Sequence, residues 1–382
     1  MNEAAVRAAF RDQARSCRDL GSPLTARVCD LLADCLRHDS GAVARRVLDW
    51  RGDPSSSADS VPLRLCGGLH ALVLRGVAPA LARAYASGRV DAALLLSVLT
   101  AHEACLLRWL DSPPQTNEVA RSAAIIAAAR FLAQRCGLPL RALELGASAG
   151  LNLNFARYHL RPARAQPGAH SDRPASDQGA GVTLRPRWDG QVPAGEFRLA
   201  EAEGVDLRPV DPVADRLRLQ AYCWADQSAR LARLRGALDL ARVFPPQVAQ
   251  GDAGDWLNAQ LAKAAPGRVT FVYHTVAAQY FPEATQGVCA AALQAAAARA
   301  GPDAPLAHFA MESDGCGPGA ALLLRLWNGA VHGWSLGRAD FHGRWVSWHP
   351  APCHRACERR GIGRQARLVY PVSRRRRGWS HP

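Results

Sequence analysis

From Glu3 to about residue 140, apolar residues recur every three or four positions, the spacing of helices that bury one face against one another. Gly and Pro breaks divide the stretch into helices predicted over Glu3 to Asp19, Pro23 to Arg37, Ser40 to Asp49, Pro62 to Leu74, Ala78 to Ala86, Asp91 to Leu110 and Thr116 to Arg135. Thr116 or Asn117 is the expected N-cap of the last helix, with Glu118 in its first turn. No strand pattern precedes Arg141, so residues 1–138 read as an all-α domain.

After Leu138 the pattern changes. Short apolar runs ending in Gly, Asp or Ser alternate with longer helical stretches, as βαβ units of a parallel sheet do. Strands are predicted over Ala142 to Leu145, Phe197 to Val205, Gln247 to Gln250, Val269 to Tyr273, Leu306 to Met311, Ala320 to Trp327 and Arg344 to His349. The last two are expected to form a hairpin that adds an antiparallel strand. Residues 139–350 therefore read as an α/β domain. An aperiodic insertion at about 160–196, rich in Pro, Gly, Asp and Arg, is expected to cover its cleft. Residues 351–382 form a basic tail with four consecutive arginines, Arg374 to Arg377, and are expected to be disordered.

Composition adds limits to this picture. The 382 residues carry a formal charge of +14, but Lys263 is the only lysine, so the charge follows a general preference for Arg and does not by itself imply a nucleic-acid partner. The amino terminus mixes acids with bases and lacks the apolar core of a secretory signal. Charges interrupt every Ala/Leu run before it reaches the roughly 18 apolar residues that span a bilayer. A soluble, cytoplasmic protein without a membrane partner is expected. The 11 cysteines are scattered through apolar patterns and read as reduced, buried thiols. Cys353, His354 and Cys357 have no companion pair of zinc-finger spacing, so no metal site is expected.

The chemistry concentrates at strand ends. The first predicted strand runs into LELGASAGLN, residues 143 to 152, with Glu144 at the strand end. Gly146 permits a tight turn, Gly150 lets a helix begin close to a ligand, and the backbone N–H groups from Ser148 to Asn152 can meet a nucleotide or a carboxylate. The same letters match the G-x-S-x-G elbow of serine esterases, with Ser148 as nucleophile. Only helices precede this elbow, and no oxyanion segment is found upstream, which disfavours the hydrolase. The second strand ends in GVDLRP, where the two carboxylate oxygens of Asp206 suit two ribose hydroxyls. The third ends in QGDAGDW, offering Asp252 to an adenine amino group and Ala253 beside the ring. The fourth gives FVYHTVAAQYF.

With these four strand ends in order, the chain resembles the class I S-adenosylmethionine-dependent methyltransferases. More narrowly it resembles an uncharacterised bacterial family, a domain of unknown function with a helical N-terminal half and a methyltransferase-like C-terminal half. PPQTNEVARSAAI, WADQSARLARL, GDAGDW and FVYHTV carry that likeness over roughly residues 5 to 350. The resemblance implies a Rossmann-like, seven-stranded methyltransferase-type sheet, S-adenosylmethionine across Gly146, Asp206 and Asp252, and Arg121 on the methionyl carboxylate. It also implies His274 and Tyr280 near the transfer site, and a small-molecule or protein nucleophile as acceptor. Ser148 departs from the class, which has its middle glycine there, and about sixty residues separate Gly146 from Asp206 where a compact enzyme has about twenty. Trp224, Asp226, Gln227 and Arg230 read as an ordinary helix with one packed and one solvated face. A second reading keeps the fold without catalysis, as a nucleotide-binding or interaction module.

Overall fold

The computed structural model describes residues 3–164 and 181–353. Seven helices come first: α1 (Glu3–Asp19), α2 (Pro23–Cys35), α3 (Ala42–Leu48), α4 (Val61–Leu74), α5 (Pro79–Ser87), α6 (Ala92–Ala101) and α7 (Glu103–Leu110). Val6, Phe10, Ala14 and Cys17 form the buried stripe of α1 and share one core with the apolar faces of α2 to α7. Proline in the first turn of α2, α4 and α5 pre-sets the helical φ where no N–H partner is needed. The single helix expected over Asp91 to Leu110 is two. His102 leaves helical geometry at φ −120° and ψ 25°, and α6 and α7 meet at 90°. The bend lets Leu95 and Leu99 on one side and Leu106 and Leu110 on the other enter the same core.

The next helix, α8 (Ser122–Cys136), follows a 3-10 turn at Val119–Arg121. It is buried on nearly every side and packs with the sheet rather than with α1 to α7. Its cap differs from expectation. The Glu118 carboxylate accepts from Ala120 N at 3.0 Å, while Asn117 is engaged elsewhere.

The strands are β1 (Leu140–Leu145), β2 (His159–Leu160), β3 (Ala163–Arg164), β4 (Thr183–Leu184), β5 (Arg187–Gly190), β6 (Leu199–Asp206), β7 (Gln247–Gln250), β8 (Val269–Thr275), β9 (Leu306–Glu312), β10 (Ala320–Trp327), β11 (Val331–Ala339) and β12 (Trp345–Pro352). Helices α9 (Arg216–Ala221), α10 (Ser228–Val243), α11 (Ala253–Leu261) and α12 (Glu283–Ala297) lie between them. The main sheet has ten strands in the order β3-β5-β12-β11-β10-β9-β8-β1-β6-β7, against the seven expected. From β7 to β9 the strands are parallel, and β1 and β8 are buried on both faces, which is why they read as unbroken apolar runs.

Beyond β9 the sheet continues as an antiparallel meander through β10, β11 and β12. The expected hairpin between Ala320–Trp327 and the last strand is therefore corrected: β11 lies between them. Its sequence, VHGWSLGRA, hides the alternation behind two glycines and a register shift between Ser335 and Gly337. Gly337 has φ +119°, and a Cβ there would sit 2.0 Å from the Ser347 carbonyl oxygen. The described end of the 160–196 insertion also departs from expectation, because β5 joins β12 and extends the sheet's far edge. Residues 165–180 of the insertion, His354, Cys357 and the tail with Arg374 to Arg377 lie outside the described residues. Among the described cysteines nine are free thiols, and Cys353 is disulfide-bonded, contrary to the expectation of reduced thiols throughout. No single described helix is long and apolar enough to cross a membrane.

The segment between α9 and α10 joins the helical half to the sheet. Asp226 accepts from the Leu24 N–H at the start of α2 (2.9 Å) and from the Ser22 hydroxyl (2.5 Å), and Gln227 Nε2 donates to Leu20 O at 3.1 Å. Trp224 and Ala225 pack against the core of α1 to α7. Gly67 of α4 abuts the Tyr222 ring so closely that a Cβ would lie 2.5 Å from it. The polar face expected to be solvated is thus a joint. Asp226→Ala should destabilise the chain by about 1–2 kcal/mol through the lost cap of α2. Urea unfolding checks this; an unchanged midpoint would contradict the joint.

Candidate functional site

At the carboxyl end of β1 the loop makes three left-handed residues, Gly146 (φ +71°), Ser148 (φ +54°) and Gly150 (φ +67°). Five of its N–H groups donate within the protein. Gly146 and Ala147 donate to Val205 O (2.9 and 3.0 Å), Ser148 to the Asp206 carboxylate (2.8 Å), Gly150 to Ala147 O (2.8 Å) and Leu151 to Asn117 Oδ1 (2.7 Å). Instead of the long helix expected after Gly150, a 3-10 stretch follows at Leu151–Arg157. The glycines serve close packing: a Cβ on Gly146 would lie 2.6 Å from Ala277 Cβ, and one on Gly150 2.6 Å from Pro246 and Val248. Ser148 is 7% exposed and its Oγ has no hydrogen-bond partner, so no base stands ready to activate it as an esterase nucleophile.

The acids at the strand ends differ in what they have left to offer. Each Asp206 oxygen accepts one backbone N–H, from Ser148 and from Arg208 (2.9 Å), and the half-buried carboxylate retains lone pairs for further donors. Asp252 caps α11, accepting from Gly254 N (2.8 Å), Asp255 N (3.3 Å) and the Thr285 hydroxyl (2.5 Å), with Ala253 buried behind it. Burial works to raise the Asp252 carboxyl, but these donors hold it below its ordinary range. Glu144 lies beneath the loop at 2% exposure, hydrogen-bonded by Asn152 and by Tyr273. Asn152 in turn accepts from the Ser122 hydroxyl at 2.8 Å. Burial pushes Glu144 up to about 8, so it is protonated at neutral pH.

His274 is 1% exposed within the sheet, not at a cavity. Its Nδ1 meets Glu312 Oε1 at 2.7 Å and its Nε2 meets His308 Nε2 at 3.1 Å, so neither nitrogen is available to an acceptor. Glu312 Oε1 also accepts from Ala277 N and Ala278 N (2.9 and 3.1 Å), fixing the loop after β8. His274 thus faces Glu312 and His308 and does not line the cavity described below.

Arg121 and Tyr280 lie elsewhere, on a cavity of about 720 Å³ between the helical half and the loops after β8 and β9. Tyr280 is 62% exposed at its rim. Arg121 donates from Nε to Phe341 O (2.8 Å) and from Nη1 to Thr275 O (3.0 Å), bridging the end of β8 and the β11–β12 turn. Between them Val276, a β-branched residue, is held at φ +52°, a backbone state that bulky side chains avoid. Gly146, Asp206 and Asp252 do not line this cavity.

Sequence reasoning missed the parts played by Glu118, Arg230, Arg233 and His342. Glu118 accepts from Arg230 Nε at 2.5 Å and lies 3.5 Å from Arg233 Nη2. Burial would raise its carboxyl, but the two guanidiniums hold it down at about 2. His342 lines the cavity, edge-on to Trp224 with ring centroids 5.6 Å apart. Burial, with Arg230 and Arg121 nearby, pushes its imidazole down to about 3, so it is neutral across the physiological range. The signal for Glu118 and Arg230 was present in TNEVARS and WADQSAR as charges beside apolar stripes, but nothing in either segment names the other as partner.

Two measurements follow. Ser148→Gly should stabilise the chain by about 1 kcal/mol in urea, because it relieves a left-handed non-glycine residue and removes an orphaned hydroxyl. Glu144 ionises near 4.5 when unfolded and near 8 when folded, so the native state holds the extra proton between those values. Wild-type stability should therefore fall relative to Glu144→Gln as pH rises through that window, by at most about 1.4 kcal/mol per unit. A stability difference that stays constant from about pH 5 to about pH 8 would count against a buried, protonated Glu144.

No curated protein and no solved structure matches the chain. A family described as an uncharacterized protein conserved in bacteria (DUF2332) matches residues 7–348, and the chain belongs to that family.

Proposed function

We propose that this protein is an S-adenosylmethionine-dependent methyltransferase acting on a small molecule held in the cavity. The observation that carries the reading is the strand order β7-β6-β1-β8-β9. From β1 the chain turns one way to β6 and β7 and the other way to β8 and β9, and the carboxyl edge at such a switch point is where open α/β sheets bind ligands. Asp206 and Asp252 stand at the ends of the two strands on one side, and the cavity opens beyond the two on the other.

The donor chemistry fits in part. S-adenosylmethionine carries no phosphate, so a loop whose Gly146, Ala147, Ser148, Gly150 and Leu151 amides donate within the protein does not disqualify it. Its ribose needs two acceptors, which Asp206 retains, and its adenine needs apolar surface, which the exposed Leu207 supplies. Bound there, the cofactor would contribute a methyl group already activated on sulfonium. The chain's own task is then alignment, with Arg121 and the neutral His342 orienting an acceptor in the cavity. The engagement of both His274 nitrogens is compatible with this, since a nucleophilic acceptor needs little acid–base help.

The inward-turned loop favours a second reading, a ligand-binding module without catalysis. Calorimetry with S-adenosylmethionine and its demethylated product separates the two. Saturable heat is expected from the wild type, and Asp206→Asn should weaken it about tenfold through loss of a charged acceptor. No heat at millimolar ligand would leave the binding module and sink the methyltransferase.

A further inference from the structure

We infer that the cavity between the helical half and the loops after β8 and β9 binds an amphipathic small molecule with a single carboxylate. Arg121 would take the carboxylate, and Leu20, Leu24, Tyr85 and Trp224 would surround the apolar body. As an acceptor class this rests on the methyl-transfer reading, but as a binding site it stands without it.

The cation is the starting point. Arg121 is half-buried on the cavity wall and meets two carbonyl oxygens, leaving Nη2 without an acceptor among the described residues. No carboxylate among the described residues forms an ion pair with it. The two acids that act on it from nearby are held by other groups: Glu118 by Arg230 and Arg233, and Glu312 through Oε1 by His274 and the amides of Ala277 and Ala278, its Oε2 having no hydrogen-bond partner among the described residues. A guanidinium on a cavity wall without a direct ion pair keeps N–H donors that an incoming anion would occupy. The planar fork of Arg suits a carboxylate in particular.

The rest of the cavity defines what the carboxylate is attached to. Its volume of about 720 Å³ is in the range of small-molecule sites. Away from Arg121 the wall comes from α1, α2, α4 and the α9–α10 joint and is largely apolar, with the exposed Asp19 on the helical side. That carboxylate disfavours a second anionic group on the ligand. One buried polar atom on the wall, Gln279 Oε1, has no partner among the described residues and provides for at most a hydroxyl or amine on the body.

Calorimetry on the full chain with decanoate and decan-1-ol, both kept below the concentrations at which they aggregate, tests the assignment without any cofactor. Decanoate is expected to bind at one site per chain and about tenfold more tightly than the alcohol, as a charged hydrogen-bonded pair requires. Arg121→Gln should abolish that preference while leaving the alcohol's affinity unchanged. Because Arg121 also holds two carbonyls, a second variant is needed. Leu20→Trp, which narrows the apolar arm, should weaken both probes by about tenfold. Equal affinity for acid and alcohol, binding at many sites, or no binding of decanoate to the wild type would each overturn the proposal. Failure with S-adenosylmethionine alone would leave it standing.

Discussion

The Glu118 carboxylate is 3% exposed and has to be ionic, because two guanidiniums reach it from α10. A buried pair of this kind contributes little net stability against an apolar replacement, yet removing one partner strands a charge at a cost of about 3–5 kcal/mol. Its value lies in geometry. Glu118 precedes the turn that starts α8, the helix packed on the sheet, whereas Arg230 sits one turn into α10, just after the Trp224–Gln227 segment that enters the helical half. One ion pair therefore sets the entry of α8, the placement of α10 and the docking of α1 and α2. It also determines the character of the cavity wall: Arg230, whose charge Glu118 stabilises against the opposing effect of burial, stands near His342 and helps hold that imidazole neutral.

The glycine loop illustrates how the same letters serve different physics. Gly146 and Gly150 do adopt the left-handed conformations that a nucleotide loop would need, and Ser148 does so despite its side chain. What the conformations achieve here is contact with Ala277 on one side and Pro246 and Val248 on the other, with Asp206 tying Ser148 from the neighbouring strand. The loop is a keystone between β1, β6 and β8. Any ligand at this edge meets side chains and strand-end acids rather than a bare row of amides.

Much of the fold could be read from periodicity. The limits of α1 and β10 coincide with the apolar patterns that predict them, because each presents a stripe or alternation of buried residues to one core. Failures occurred where local pattern and tertiary demand part company. The stretch from Asp91 to Leu110 is apolar enough for one helix, but a straight rod could not bring both ends into the same core, and it bends at His102. In β11, glycines and a bulge erase the alternation. Of the candidate site, Asp206, Asp252 and the loop were legible as strand-end residues. The cavity was not, because its walls come from segments more than one hundred residues apart, such as Leu24 and Trp224, and a single sequence contains no statement of which stripe faces which.

The dependence of the cavity on that docking has a thermodynamic consequence. Its helical wall and its sheet wall are separate pieces of chain held together by Asp226 on α2, Gly67 against Tyr222 and the Glu118 pair. A molecule seated between them touches both, so its binding free energy adds to the cohesion of the joint and raises the unfolding free energy by RT ln(1 + [L]/Kd). Without it, the chain carries on one surface an Arg121 whose Nη2 has no acceptor among the described residues, an orphaned Gln279 oxygen and a left-handed valine. These are costs that a fold with no use for the cavity could remove by a few apolar substitutions. Their presence together on one wall is the physical reason to regard the cavity, rather than the glycine loop, as the place where this protein's specificity resides.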